Sequence, residues 1–357
     1  MAKVAIFVKN LTSGGAERQA TYLANLLCGH NHEAYFVIFN GEKVHQKYVD
    51  YLLENRVPII SFKGAKKERL MQFQAFLKEK NIDLVFSYLT AANFYAIRAA
   101  KGLPTKVVTG IRNARLPFFK MVADCFITDF FADATVANCY CAKDYFCKRG
   151  FIRKKMEVIP NCIFPVKRER TRGSENLIEL ITVARFVPQK DFATAIKAFA
   201  NAHRQIPALR YTIVGYGEEE EKIRNLIEKM DCKDAINMVI NPSDIPERLA
   251  NADIYLSTSL FEGTSNSIME ALEAQLPVIA TNVGDNSQLV KDGRNGYIVP
   301  VKDIAQISQR IKTLATNKDL RESMGKCGYD HLIKNFSPEI FVKRYNKLID
   351  KLTTEAL

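Results

Sequence analysis

The sequence predicts an α/β protein built as two wound parallel-sheet domains facing a cleft. Three observations predict it. Apolar runs of β type alternate with helical periods along the whole chain. That alternation breaks once, at FPVKRERTRGSEN (164–176), where Pro, Gly, Ser and charges replace any apolar period. The 357 residues, 47% hydrophobic and 25% charged, are enough for a core in each half.

The first domain is expected over 1–163. Its strands are VAIFV (4–8), AYFVIF (34–39), DLVFSYL (83–89), KVVTGI (106–111), ATVAN (134–138) and MEVIP (156–160), with helices such as 17–29 and 68–81 between them. After a linker at 164–176 the second domain runs over 177–337. Its strands are LIELITVA (177–184), LRYTIVG (209–215), INMVI (236–240), ADIYLST (252–258), PVIAT (277–281) and YIVP (297–300), with helices including 193–205 and 219–230. A closing helix is expected over 338–357. Ligands of such sheets bind at the C-terminal ends of the strands.

Composition narrows the function. No apolar run approaches the roughly 20 residues that span a bilayer, and MAKVAIFVKN reads as a first strand rather than a signal peptide. Eight cysteines are scattered without a C-x-x-C pair or a histidine at ligand spacing. Cys139 and Cys141 share at most one strand face, so no metal site and a reduced, cytoplasmic protein are expected. The net charge of +12 concentrates in KKERL (66–70), KRGFIRKK (148–155) and VKRERTR (166–172). Such clusters attract anionic lipid or phosphorylated ligands, or are only a solvated basic surface. No zinc-finger, RNP or helix-turn-helix pattern accompanies them, and no nucleic-acid partner is expected.

Four strand-to-helix junctions carry chemistry. In LTSGGAER (11–18), Gly14 and Gly15 let backbone N–H groups approach a ligand at a helix N-terminus, or simply make a tight turn. A dinucleotide site wants G-x-G-x-x-G there and an acid ending the second strand; the chain has only GG and then FNGE. In VGYGEEEE (214–221), Gly215 and Gly217 resemble half of that motif, but the glutamates behind them repel a pyrophosphate. In VARFVPQKDF (183–192), Arg185 and Lys190 flank Pro188 on a short loop, where two cations converge on a diphosphate or stay solvated. In FEGTSNSIME (261–270), Glu262 precedes Gly263 in the loop, and Ser267-x-x-Glu270 reads as a capping box. Thr264, Ser265, Asn266 and Ser267 supply free N–H groups at that helix start. A hydrolase pair would need one carboxyl with a raised pKa. Cations in the same domain instead suit a leaving group that departs as an anion, and carboxylates suit sugar hydroxyls.

The chain thus resembles glycosyltransferase family 4, retaining enzymes of the GT-B fold that build bacterial surface polysaccharides. The match runs in order through SGGAER (13–18), VANCYCAKDYF (136–146), VIPNCI (158–163), Ala184-Arg185 with Lys190, VGYGEEEEKIRNLI, residues 252–290 with the E-x7-E pair Glu262 and Glu270, and DGRNGYIV (292–299). The resemblance implies two Rossmann-like domains with the last helix crossing back to the first. It implies that Arg185 and Lys190 bind the donor diphosphate, that Glu262 holds the transferred sugar and that Glu270 holds the ribose. Backbone around Ser265 to Ser267 would meet the distal phosphate, with Gly14 and Gly15 facing that phosphate or the acceptor; Gly215 and Gly263 would line the donor site. It implies no metal and no cofactor beyond the nucleotide sugar, a UDP-sugar by family weight. Many members carry a histidine near the donor sugar. Here GIRNAR (110–115) stands in its place, so Arg112 and Asn113, with Glu17, are the acceptor-side candidates and no general base is assigned.

The acceptor side says less. LPFFKMVADCFITDFF (116–131) sets Phe119, Val122, Phe126 and Phe130 at helical spacing, which reads first as a core face and second as a membrane-contact helix. The expectation is a transferase peripheral on the inner face of the plasma membrane. It would move a hexose or N-acetylhexosamine to a polyprenyl- or lipid-linked saccharide. The rivals are a nucleotide-sugar epimerase or hydrolase of the same fold, and a non-catalytic sugar-nucleotide binder.

Overall fold

The structure is a computed structural model and describes residues 1–42, 44–112, 118–165 and 177–354. It divides into two compact units, one of residues 1–162 with the last helix, the other of residues 163–337.

The first unit runs β1 (Lys3–Val8), α1 (Gly15–Gly29), β2 (Glu33–Ile38), α2 (Gln46–Glu54), β3 (Ile59–Ser61), α3 (Lys66–Glu79), β4 (Leu84–Ser87), α4 (Thr90–Ala100), β5 (Lys106–Ile111), α5 (Phe118–Phe131), β6 (Ala134–Ala137), α6 (Tyr140–Cys147) and β7 (Met156–Val158). The strands form one parallel sheet in the order β3-β2-β1-β4-β5-β6-β7. β3 is an edge strand of three residues that the sequence reading left out. It is too short and too exposed to carry an apolar period.

The second unit runs β8 (Ile178–Val183), α7 (Phe192–His203), β9 (Leu209–Gly215), α8 (Glu220–Lys229), β10 (Ile236–Ile240), α9 (Ile245–Asn251), β11 (Ile254–Ser257), α10 (Asn266–Glu273), β12 (Val278–Thr281), α11 (Asn286–Leu289), β13 (Gly296–Val299), α12 (Ile304–Ala315) and α13 (Lys318–Phe336). Its sheet is parallel in the order β10-β9-β8-β11-β12-β13. Both faces are covered, which explains the continuous apolar strands. Leu180, Ile254, Leu256 and Ile279 pack on one face with Ile196, Phe199 and Ile311 of α7 and α12. Their strand neighbours Ile181, Tyr255, Val278 and Ala280 pack on the other with Met269, Leu272 and Leu332 of α10 and α13.

The last helix, α14 (Pro338–Thr354), belongs to the first unit. Phe341 and Tyr345 are buried, and the Tyr345 ring meets Phe86 of β4 edge-on at 5.2 Å. Lys351 reaches Glu157 at 3.6 Å, an exposed pair of little energetic weight. The expected linker lies, from residue 166 to 176, outside the described residues.

One expectation is overturned here. α5 does not turn the stripe of Phe119, Val122, Phe126 and Phe130 to the core. Met121, Asp124 and Thr128 are buried, while Phe119, Val122, Phe126, Phe130 and Phe131 are exposed. The spacing is helical as read, but the buried stripe is the opposite one.

Candidate active site

In the second sheet the winding reverses between β8 and β11, the strands from which successive connections depart in opposite directions. A crevice opens at the carboxyl ends of such a strand pair, and ligands of wound sheets bind there. The loops leaving β8 and β11 carry Lys190 and Glu262. Hydrogen bonds stitch the loops together. Leu260 N donates to Gln189 O at 2.8 Å, Gln189 Nε2 to Phe261 O at 2.6 Å, and Thr258 Oγ1 to Lys190 O and Asp191 O at 2.9 and 3.0 Å. Asp191 sits at φ 46° and caps α7 by accepting from Thr194 N at 3.3 Å. The left-handed turn at Asp191 ends the short helical turn Pro188–Lys190 that presents Lys190.

The two predicted site residues meet directly. Lys190 Nζ lies 2.5 Å from Glu262 Oε1, with side chains only 15% and 10% exposed. Ser259 Oγ donates to the same oxygen at 2.7 Å. Taking two charges this far from water is repaid only by good geometry and a further hydrogen bond, which Ser259 supplies. Ser259 is in turn placed by Thr281 Oγ1, which donates to its carbonyl at 2.6 Å. The Gly284 turn backs the loop: a Cβ at Gly284 would stand 2.4 Å from Glu262 O, and Asp285 N donates to Gly263 O at 3.2 Å.

The predicted capping box is displaced. The N-cap of α10 is Ser265, whose Oγ accepts from Ile268 N at 3.4 Å; Ser267 is two residues inside the helix. Glu270 therefore lies beyond the first turn and is no cap. The Ser267-x-x-Glu270 spacing pointed to Ser267, but the helix starts one residue before it, at Asn266. Thr264 and Ser265 are buried, while Gly263, Asn266, Ser267 and Glu270 are half-buried. Beneath them the buried Tyr255 of β11 donates to Val183 O at 3.2 Å and hydrogen-bonds Ser267. Burial first, then the Glu270 and Glu262 carboxylates, hold its phenol far above the ordinary tyrosine value against these hydrogen bonds. The sequence marks Tyr255 only as a strand residue and Ser259 only as the position after that strand. No motif marks them, because their role is to support the two glutamates from below.

Arg185 is exposed at the end of β8 and makes no ion pair among the described residues. Gly215, at the end of β9, packs its Cα on Ala184: a Cβ there would stand 1.9 Å from Ala184 O. Phe186 N donates to Tyr216 O at 2.7 Å and Glu219 N to Phe186 O at 3.0 Å. The glycines of VGYG thus seat the Arg185 turn.

In the first unit, Gly14 is the N-cap of α1. The Glu17 side chain folds over it, with Oε2 2.2 Å from where a Gly14 Cβ would be, and accepts from Thr12 Oγ1 at 3.0 Å. A carboxylate therefore lies where Gly14 and Gly15 were read as open to a phosphate. Arg112, at the end of β5, stacks 4.2 Å over the Tyr88 ring and donates from Nη2 to Tyr345 Oη at 2.9 Å. It ties β5 and β4 to α14, while its buried Nε and Nη1 have no hydrogen-bond partner among the described residues. Leu89, just past β4, is held at φ 75°, a conformation costly to a branched side chain. Asn113 lies outside the described residues.

Two wound parallel sheets, with a half-buried cation–carboxylate pair at the reversal of the second, match the architecture of the GT-B transferases. Two family models divide the chain between them: "Glycosyltransferase Family 4" over residues 13–165 and "Glycosyl transferases group 1" over 164–331. The chain belongs to these glycosyltransferases. It is similar to an uncharacterized glycosyltransferase of Haemophilus influenzae, 25% identical over 90% of this chain and 92% of that one. It is similar to the amylovoran biosynthesis glycosyltransferase AmsD of Erwinia amylovora, 22% identical over 98% and 100%. Among solved structures, Anabaena HepE, determined with UDP and with UDP-glucose, matches with a TM-score of 0.84 at 17% identity, over 98% of this chain and 100% of that one.

Proposed function

We propose that the chain transfers a hexose or N-acetylhexosamine from a UDP-sugar to a lipid-linked or growing glycan, with retention and without a metal, on the inner face of the plasma membrane. The observation that carries this is the Lys190–Glu262 pair at the winding reversal. Each group has a use toward a nucleotide sugar, and each satisfies the other without one. On donor binding Lys190 turns to a diphosphate oxygen, joined by Arg185, and Glu262 is left to accept from a sugar hydroxyl. Glu270 accepts from the ribose, and N–H groups at the start of α10 meet the distal phosphate. The bond from the anomeric carbon to the phosphate oxygen breaks, and the acceptor oxygen bonds that carbon from the same face. The acceptor proton passes to the departing diphosphate, whose charge the two cations stabilise. The UDP held by HepE supports the choice of nucleotide.

Calorimetry with UDP, GDP, ADP, NAD and UDP-sugars, with and without EDTA, tests the reading. Selective UDP binding that survives EDTA is expected; GDP selectivity would change the donor, and no nucleotide binding would overturn the assignment. Lys190→Ala should weaken UDP about 10- to 100-fold, the loss of one charge-assisted hydrogen bond, and leave uridine within about twofold. Unchanged UDP binding would remove Lys190 from the diphosphate site.

A further inference from the structure

α5 is amphipathic the wrong way round for a helix on a water-facing surface. Its buried residues include the polar Asp124 and Thr128, and Asp124 accepts from Thr90 Oγ1 at 2.6 Å. Its outer face is apolar: Phe119 is 86% exposed and Phe130 72%, with Val122, Phe126 and Phe131 about half exposed. The rings pack on one another rather than on the core. Phe126 lies 5.0 Å from Phe130 and 5.9 Å from Phe131, centroid to centroid. A contiguous exposed aromatic patch of this kind marks an interaction surface.

The surroundings say what covers it. The basic stretch 148–155 is fastened to the C-terminal half of this helix. Ile152 N donates to the Asp129 carboxylate at 3.0 Å, and Lys155 Nζ donates to Asp129 O and Ala132 O at 2.8 and 2.9 Å. Lys148, Arg149, Arg153 and Lys154 are exposed there beside the exposed Ile152, and Lys120 stands on the helix itself. The acids facing the patch are engaged: Asp129 by this backbone, Asp124 in the interior, Asp144 by Arg153 at 2.6 Å. Arg153 is spent on Asp144, but Lys120, Lys148, Arg149 and Lys154 make no ion pair among the described residues. Rings flanked by such cations are the composition of an interfacial helix on anionic lipid. A second copy fits poorly, because a two-fold contact through this face would set one basic cluster against the other.

We propose that α5 and the 148–155 stretch form a membrane-docking surface that inserts Phe119, Phe126 and Phe130 among acyl chains while the cations engage anionic headgroups. The proposal rests on the lipid-linked acceptor reading above and gives it an address on the fold. It is tested without any transfer assay.

The test is co-sedimentation at low salt with phosphatidylcholine vesicles, plain or containing about 30% phosphatidylglycerol. Binding to the anionic vesicles alone is expected. Phe126→Ser with Phe130→Ser should lower the partition at least tenfold, roughly the effect of withdrawing two rings. Lys148→Ala with Lys154→Ala should lower it by about fivefold per charge. The chain has no tryptophan, so Phe130→Trp adds a sole indole whose emission should shift to the blue on anionic vesicles. Unfolding by circular dichroism and UDP calorimetry of the serine variant should match the wild type, separating lost docking from lost structure. Vesicle binding without UDP binding would keep this surface and defeat the donor reading. Undiminished binding of the serine variant, an indole that does not shift, or a wild-type dimer that the serine variant makes monomeric would each overturn the proposal.

Discussion

Glu262→Ala should lower kcat for transfer by about 10²- to 10³-fold, the usual cost of losing a group that contacts the reacting sugar, while UDP affinity holds or rises. The direction of the second effect comes from the ion pair. Lys190 spends its charge on Glu262 at 2.5 Å, so the diphosphate must displace a carboxylate to reach it. Removing the carboxylate removes that competition. It also leaves a cation 15% exposed without its partner, at a cost in the apo protein of order 3 kcal/mol. UDP restores a counter-charge, so the variant should gain more thermal stability from UDP than the wild type does. Steady-state kinetics with calorimetry and melts read all three quantities. Equal losses of transfer and UDP affinity would show that Glu262 holds the nucleotide rather than the sugar.

Gly284→Ala should damage the second unit's site through a single added methyl. Gly284 stands at φ 56°, and a Cβ would meet Glu262 O at 2.4 Å, Glu262 C at 2.7 Å and Gly263 O at 2.8 Å. All three are backbone atoms, so no side chain can swing aside. Gly293 is the control, because its φ is 71° and a Cβ there meets nothing within 4 Å. Both variants pay the left-handed penalty of about 1–2 kcal/mol. Only Gly284→Ala adds the collision, for roughly 3–5 kcal/mol in all, or some 6–20 °C of melting temperature at about 2–4 °C per kcal/mol. The same displacement carries Glu262 off Lys190 and should cost transfer beyond what stability explains. Matching melts for the two variants would mean the loop yields, and that Gly284 is there for its φ alone.

The sheet strands were legible because both faces are covered. Ile181 and Leu180 are equally apolar, though they point to opposite sides, and such a run is visible without knowing the fold. β3 was not, since Ile59–Ser61 lies at an edge and alternates nothing. Lys190 and Glu262 were legible as loop residues at strand ends; that they meet each other was not, since 72 residues separate them. Helical spacing located the stripe on α5 but says nothing of which way a stripe faces. The interior of the first unit takes Thr128, and Asp124 where Thr90 Oγ1 donates to it, and that depends on tertiary placement. Residues such as Ser259 and Tyr255 escape sequence reading for the same reason: their chemistry is ordinary and only their position is special.

α14 also sets an order on biosynthesis. Tyr345 supplies the ring against Phe86 and the hydroxyl that Arg112 bonds. These contacts close a core whose other parts left the ribosome some two hundred residues earlier. Residues 163–337 are contiguous and form a unit complete as soon as they emerge. The half that is made first is therefore finished last, and during translation its α14 seat stands open. A nascent chain stalled short of Tyr345 would carry a folded second unit on an unfinished first one, a species for chaperones to hold until the final helix arrives.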